Sequence, residues 1–205
     1  MTLKQRRERE KQAMRDGILA AARHIARQQG WSAVTIRKIA EHIEYSPPMV
    51  YEYFANKEDL LQELVREGFH LLTTSMQRAC YATDGEALSP EAQLNKIGDA
   101  YCQFARVYPE LYQLMHGLGV ALDSQERVQA AQVSCKIVLD TLMRWAQSKN
   151  VTLKNPEEAV EALWALLHGL VTLFIVDSSQ KEDDRAERLA KQTLQSLLQA
   201  WSSSA

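Results

Sequence analysis

No run of this 205-residue chain alternates apolar and polar residues as a half-buried strand must. Apolar residues instead recur three and four positions apart, the period of a helix with one buried face. Only 8 Gly and 5 Pro punctuate the chain, leaving little room for loops. These features predict an all-α protein. A hydrophobic share of 46% beside 24% charged residues is ordinary for a globular protein, and the length suffices for a core in one or two domains.

Caps and breakers divide the sequence into nine expected helices. The first spans 3–29, charged in its first half, with Ile18, Ala22, Ile25 and Ala26 facing a core and Gly30 as terminator. A second covers 35–43, burying Ile36, Ile39, Ala40 and Ile43. After Glu44-Tyr45, Ser46 and Pro47 supply an N-cap and a first-turn proline for a short helix over 48–54. Asn56 to Asp59 then caps a longer helix over 56–81. Ser89-Pro90 opens a fifth helix ending near residue 107, and Tyr108-Pro109 a short sixth that stops near 117–119. A seventh covers 124–148. Asn155 with Glu158 predicts a capping box for an eighth running to 176, and a ninth covers 181–201.

Charge is distributed unevenly. Residues 1–57 carry 11 Lys and Arg against 6 Asp and Glu, net +5, whereas residues 58–205 carry 13 against 20, net −7. A basic end on an acidic body suits a polyanion-binding module joined to something else. The basic end contains the most informative segment, 35–57. Two short helices meet there at a tight polar turn, and Tyr51, Tyr53 and Lys57 offer groups that reach phosphates. A helix so short depends on its neighbours for position. This is the arrangement of a helix-turn-helix, although short capped helices occur in any all-α protein.

Other function classes find little support. Glu157, Glu158 and Glu161 near His168 lack the paired Glu and Glu-x-x-His pattern of a bundle metal site, and no nucleophile–base spacing is persuasive. No catalytic residue, metal ligand or cofactor is therefore expected. Cys80, Cys102 and Cys135 are odd in number and sit in helical patterns, as reduced core thiols do. The charged N-terminus lacks the apolar stretch of a signal peptide. The longest apolar run, 162–176, is interrupted by His168, Gly169 and Thr172 and is short for a bilayer, so a cytoplasmic location is expected.

The segment Thr35-Ile36-Arg37-Lys38-Ile39-Ala40, then Ser46, then Val50-Tyr51-Glu52-Tyr53-Phe54-Ala55-Asn56-Lys57-Glu58-Asp59-Leu60-Leu61 resembles the DNA-binding signature of the TetR family of bacterial repressors. The likeness covers about residues 14–62. Tyr108-Pro109-Glu110-Leu111-Tyr112-Gln113-Leu114-Met115 and Trp164-Ala165-Leu166-Leu167-His168-Gly169-Leu170 resemble the Trp-His-Gly type of regulatory domain in that family. The resemblance implies a three-helix DNA-binding domain over 1–56 and a six-helix ligand-binding and dimerisation bundle over 57–205. It also implies a homodimer on a palindromic operator, released when a small apolar or aromatic effector binds. Arg37 matches a position reaching bases or phosphates, Pro47, Pro48 and Met49 match base-edge positions, and Ser46, Tyr51, Tyr53 and Lys57 match phosphate contacts.

Two departures stand out. Glu44 replaces a turn glycine that often has positive φ, and Ile36 replaces a threonine that often touches phosphate. They leave open a third reading, an interaction module with a degraded reading head. Pro48 and Met49 carry no side-chain donor, so base readout falls to Arg37, thymine methyls and DNA shape. The arm Lys4, Arg6, Arg7, Arg9, Lys11 and Arg15 either adds DNA contacts or is a solvated helix end, since Glu8 and Glu10 interleave with it.

In the second half, Tyr101, Phe104, Tyr108, Tyr112, Met115, Met143, Trp164, His168 and Phe174 form either a ligand cavity or a packed core. The resemblance favours the cavity. Leu163, Ala165, Leu166, Gly169 and Leu170, with Leu194, Leu197, Leu198 and Trp201, supply more apolar surface than one helix pair needs. They are the expected dimer interface.

Overall fold

The computed structural model describes residues 2–82, 85–117, 124–176 and 184–203. The described residues are helical almost throughout, with nine α-helices: α1 (Leu3–Gln29), α2 (Ile36–His42), α3 (Pro47–Tyr51), α4 (Lys57–Ala79), α5 (Pro90–Val107), α6 (Pro109–Met115), α7 (Ser124–Lys149), α8 (Pro156–Val171) and α9 (Arg185–Ser203). A 3-10 turn, Trp31–Ala33, follows α1, and a π-helical turn, Thr172–Val176, continues α8. The expected all-α architecture is observed. No described helix is long and apolar enough to cross a membrane.

Local signals explain most ends. Thr2 and Gln5 form a reciprocal capping box on α1, and Gly30 closes that helix at φ +79°. Thr35 caps α2 by accepting from the Lys38 N–H. Asn56 Oδ1 accepts from the Asp59 N–H at 2.8 Å while Asp59 accepts from Ala55 N–H at 3.0 Å, fixing the start of α4. Two expected side-chain caps are not made, that of Ser46 on α3 and that of Asn155 on α8. Asn155 occupies the N-cap of α8 without a side-chain hydrogen bond, its backbone at φ −133° and ψ 88°, so Pro156 in the first turn starts the helix alone. The expected start of α9 near residue 181 lies outside the described residues.

The chain packs as two compact units, one of Met1–Gly68 with Glu110–Arg127, the other of Phe69–Pro109 with Val128–Ala205. In the first, Ile18, Ala22, Ile39, Val50, Phe54, Leu60 and Leu64 are fully buried or nearly so. The Trp31 indole N–H donates to the Glu110 carbonyl at 2.8 Å, tying the 3-10 turn to α6. This division by packing differs from the functional division expected at residues 56 and 57, because the first half of α4 and α6 pack with the N-terminal helices.

The second unit centres on Tyr101, Cys102, Leu142 and Trp145. Thr73 and Ser134 join in a buried hydrogen bond at 2.7 Å, and the partly buried Arg144 donates to Gln93 at 2.7 Å, with Gln93 also donating to the Leu88 carbonyl at 2.9 Å. On α5, Arg106 grips both oxygens of Glu187 on α9, at 2.7 and 2.8 Å. The three cysteines are free thiols; burial pushes Cys102 up to about 12, so it stays protonated as a core group.

Candidate nucleic-acid interface

The recognition helix α3 is five residues long and survives by anchorage rather than propensity. Val50 and Phe54 are 0% and 1% exposed and hold it to the first unit's core. Ser46, Pro47, Pro48 and Tyr51 are exposed, and Met49 and Tyr53 are half-buried. Ser46 occupies the N-cap position, yet its side chain makes no cap hydrogen bond. Its hydroxyl is thus not spent on the helix end.

The turn before α3 has defined geometry. Glu44 adopts φ +60°, the left-handed region. The Glu44 N–H bonds the Glu41 carbonyl at 3.2 Å, and the Tyr45 N–H reaches back to Ala40 at 2.9 Å. That is a complete Schellman closure built without glycine. Asn150 ends α7 the same way, at φ +55°.

On α2, Ile36, Ile39 and Ala40 are buried, which turns Arg37 and Lys38 outward. The Arg37 side chain is 83% exposed and rests against Glu41 at 2.9 Å, an exposed pair that yields readily to a phosphate or base. Lys38 Nζ donates to Gln29 Oε1 at 2.8 Å. Lys57 is the first residue of α4 and half-buried. Tyr45 was not among the expected contacts, yet its side chain is as open as that of Tyr51, 51% against 54%. Its place beside the Ser46 cap was the available signal.

The basic arm divides. Arg6 pairs with Glu10 on its own helix at 2.8 Å. Arg15 is held within the fold: it donates to the Tyr53 carbonyl at 3.2 Å, pairs with Glu63 at 3.1 Å and lies 4.5 Å over the Phe54 ring. It braces the end of the recognition segment against α1 and α4. Burial would raise the Glu63 carboxyl, but Arg66 and Arg15 together hold it below the usual carboxylate range. Among the described residues no group of three or more His, Cys, Asp or Glu stands ready for a metal ion.

The aromatic set expected to line a ligand cavity is dispersed. Tyr112 and Met115 are buried in the first unit, where Tyr112 packs on His116 at 4.4 Å. In the second unit Tyr101 meets Trp164 edge-on at 4.9 Å and Phe104 meets Tyr108 at 5.4 Å. His168 is half-buried and burial lowers its pKa. Phe174 lies under the Arg185 guanidinium at 5.5 Å, and Met143 is 47% exposed. Of these residues, Trp164 alone borders the crevice found between α5, α7, α8 and α9.

The expected interface set also splits. Leu163, Leu194 and Leu198 are buried within their own chain, because α8 and α9 turn that side toward the core. Ala165 is exposed, and Leu166, Gly169, Leu170, Leu197 and Trp201 are partly so; Leu173, 66% exposed, extends the open stripe.

Comparison with known proteins agrees with this geometry. Residues 18–64 match the model of bacterial regulatory proteins of the tetR family, and residues 94–197, more than half of the chain, match the tetracyclin repressor-like C-terminal domain. An uncharacterized HTH-type transcriptional regulator, YobS of Bacillus subtilis (strain 168), is 24% identical over 84% of this chain and 85% of its own. The fold is shared with the TetR family transcriptional regulator PfmR of Thermus thermophilus, at TM-score 0.66 and 17% identity over 89% of this chain and 97% of that one. It is shared too with the fatty acid degradation regulator FadR of Bacillus halodurans, at TM-score 0.73 and 20% identity over 90% and 94%. Such proteins regulate transcription and are not enzymes. The chain belongs to the TetR family of bacterial transcriptional regulators.

Proposed function

We propose that the protein is a homodimeric repressor, working in the cytoplasm, that leaves a palindromic operator when a small apolar or aromatic effector binds. Residues 1–56 would read DNA, and residues 57–205 would bind the effector and the second subunit. The observation that carries this reading is the recognition segment itself. Ser46, Pro47, Pro48 and Tyr51 stand exposed on a helix pinned by Val50 and Phe54, beside an 83% exposed Arg37. Arg37 would supply sequence information, while Ser46, Tyr51, Tyr53 and Lys57 would set register on phosphates. Pro47, Pro48 and Met49 would meet base edges by shape and apolar contact. The closed Schellman turn at Glu44 speaks against a degraded reading head, since the geometry survives the loss of glycine.

Dimerisation finds support in the open stripe of Ala165, Leu166, Gly169, Leu170 and Leu197, whose small members let a helix of a second copy approach. Sizing chromatography at micromolar concentration tests it: a dimer of the 23.3 kDa chain is expected, and a stable monomer contradicts it. The switch is tested by reciprocity. Effector and operator must weaken each other's binding by the same factor, so equal effector affinity with and without operator overturns the inducible reading.

A further inference from the structure

The opening turn of α3 differs chemically from the groups around it. Pro47 and Pro48, the first two residues of the helix, stand exposed and carry no backbone N–H. The first N–H of the helix, that of Met49, is taken by the Ser46 carbonyl at 3.0 Å. The next belongs to Val50, which is 0% exposed. The opening turn therefore presents no backbone donor, and neither proline nor Met49 has a side-chain donor. Donors enter from outside it, at the Ser46 hydroxyl, the Tyr51 phenol and the 83% exposed Arg37 side chain of α2. The carboxylates of Glu44 and Glu52 belong to the turn before α3 and to its C-cap. What the opening turn offers a base edge is stiff C–H surface, two rings that lose no rotamer freedom on contact.

Recognition helices place their first residues at base edges in the major groove. Among the groups displayed there, the 5-methyl of thymine alone is apolar. Guanine presents two acceptors and cytosine an amino donor, and against these rings they lose water without gaining a partner. We propose that Pro47 and Pro48 read pyrimidine 5-methyl groups, so that each half-site carries thymine beneath the start of α3. The contact rests on the DNA-binding role proposed above and adds the chemistry that it selects. It has a regulatory corollary. 5-Methylcytosine bears the same methyl at the same ring position, so methylation of a cytosine standing there strengthens binding.

A duplex selected from random DNA by the full chain supplies the probe. Each thymine is replaced in turn by deoxyuridine, which removes only the methyl group, and affinity is read by anisotropy. At least one thymine per half-site should lose about fourfold per methyl removed, the worth of one buried methyl group, while others change by less than about twofold. At that position deoxycytidine paired with guanine should bind more weakly still, and 5-methyldeoxycytidine should recover about fourfold. Pro47→Ser and Pro48→Ser, both at exposed positions, are scanned alike, and one of them should erase the uracil penalty. The cytosine comparison stands whether or not these variants bind. A penalty that persists in both variants reports DNA shape and overturns the contact. So does a flat scan, or no recovery with 5-methyldeoxycytidine, on a duplex still bound selectively; the DNA-binding role then survives. A chain that selects no duplex defeats that role and this contact together.

Discussion

The recognition segment and the α8–α9 pair both leave part of a helix uncovered, with different chemistry on the uncovered side. Around α3 the open groups are a serine hydroxyl, two prolines, two phenols and, from α2, a guanidinium. They make a stiff surface with polar tips, suited to a grooved polyanion. Along α8 and α9 the open groups are Ala165, Leu166, Gly169, Leu170, Leu173 and Leu197. That surface offers little to DNA and much to another apolar helix. Beneath each surface the buried side is alike, aliphatic and aromatic. What distinguishes two amphipathic helices is therefore the side they leave bare.

The comparison can be broken first at its anchors. Phe54→Ala empties a 1% exposed site and should cost about 3–5 kcal/mol, which a denaturant titration would show, with DNA affinity lost alongside. Leu166→Asp, on the partly open side of α8, should instead shift the oligomeric state on a sizing column while leaving the monomer folded. If Phe54→Ala keeps full DNA affinity, the anchor argument for α3 fails.

Arg37→Ala should come next, weakening operator binding by about 1–3 kcal/mol and relaxing discrimination at one base pair per half-site. Lys57→Ala should weaken selected and random DNA alike. Equal losses on both DNAs for both variants would erase the division between reading and gripping. Glu44→Gly should raise stability by about 1 kcal/mol, because glycine accepts φ +60° without the clash that glutamate bears. It should also strengthen DNA binding by removing an exposed negative charge, an effect that fades as salt rises.

The smallest effect concerns pH. The Glu63 carboxyl is held below its ordinary range in the fold, so its contribution is present at neutral pH and above the unfolded pKa. It disappears as pH falls through the depressed value. Glu63→Gln should therefore flatten the acid limb of the stability profile, and Arg15→Ala should flatten it in part while loosening the turn at Tyr53.

Local chemistry was readable from the sequence and long-range pairing was not. Gly30, Pro47 and Ser89-Pro90 mark helix ends because each acts on its own turn. The left-handed residue at position 44 was visible because a turn that commonly holds glycine held glutamate. Arg15 read as one more base in a charged arm, since nothing nearby in the chain announces Glu63 or the Tyr53 carbonyl. Leu163, Leu194 and Leu198 read as interface because a stripe of leucines is the same whether a helix of its own chain or of a second copy covers it. The aromatic set scattered for a related reason. Helical spacing gives the side of a helix, whereas the space that side meets depends on every other helix.

The claim that the 35–57 segment reads DNA is tested most directly by anisotropy titration of the full chain, on a selected duplex and a scrambled one, across a salt series. The account predicts tighter binding to the selected duplex and log affinity falling linearly with log salt on both, as phosphate contacts release counterions. Affinity that is equal on the two duplexes and indifferent to salt would contradict it.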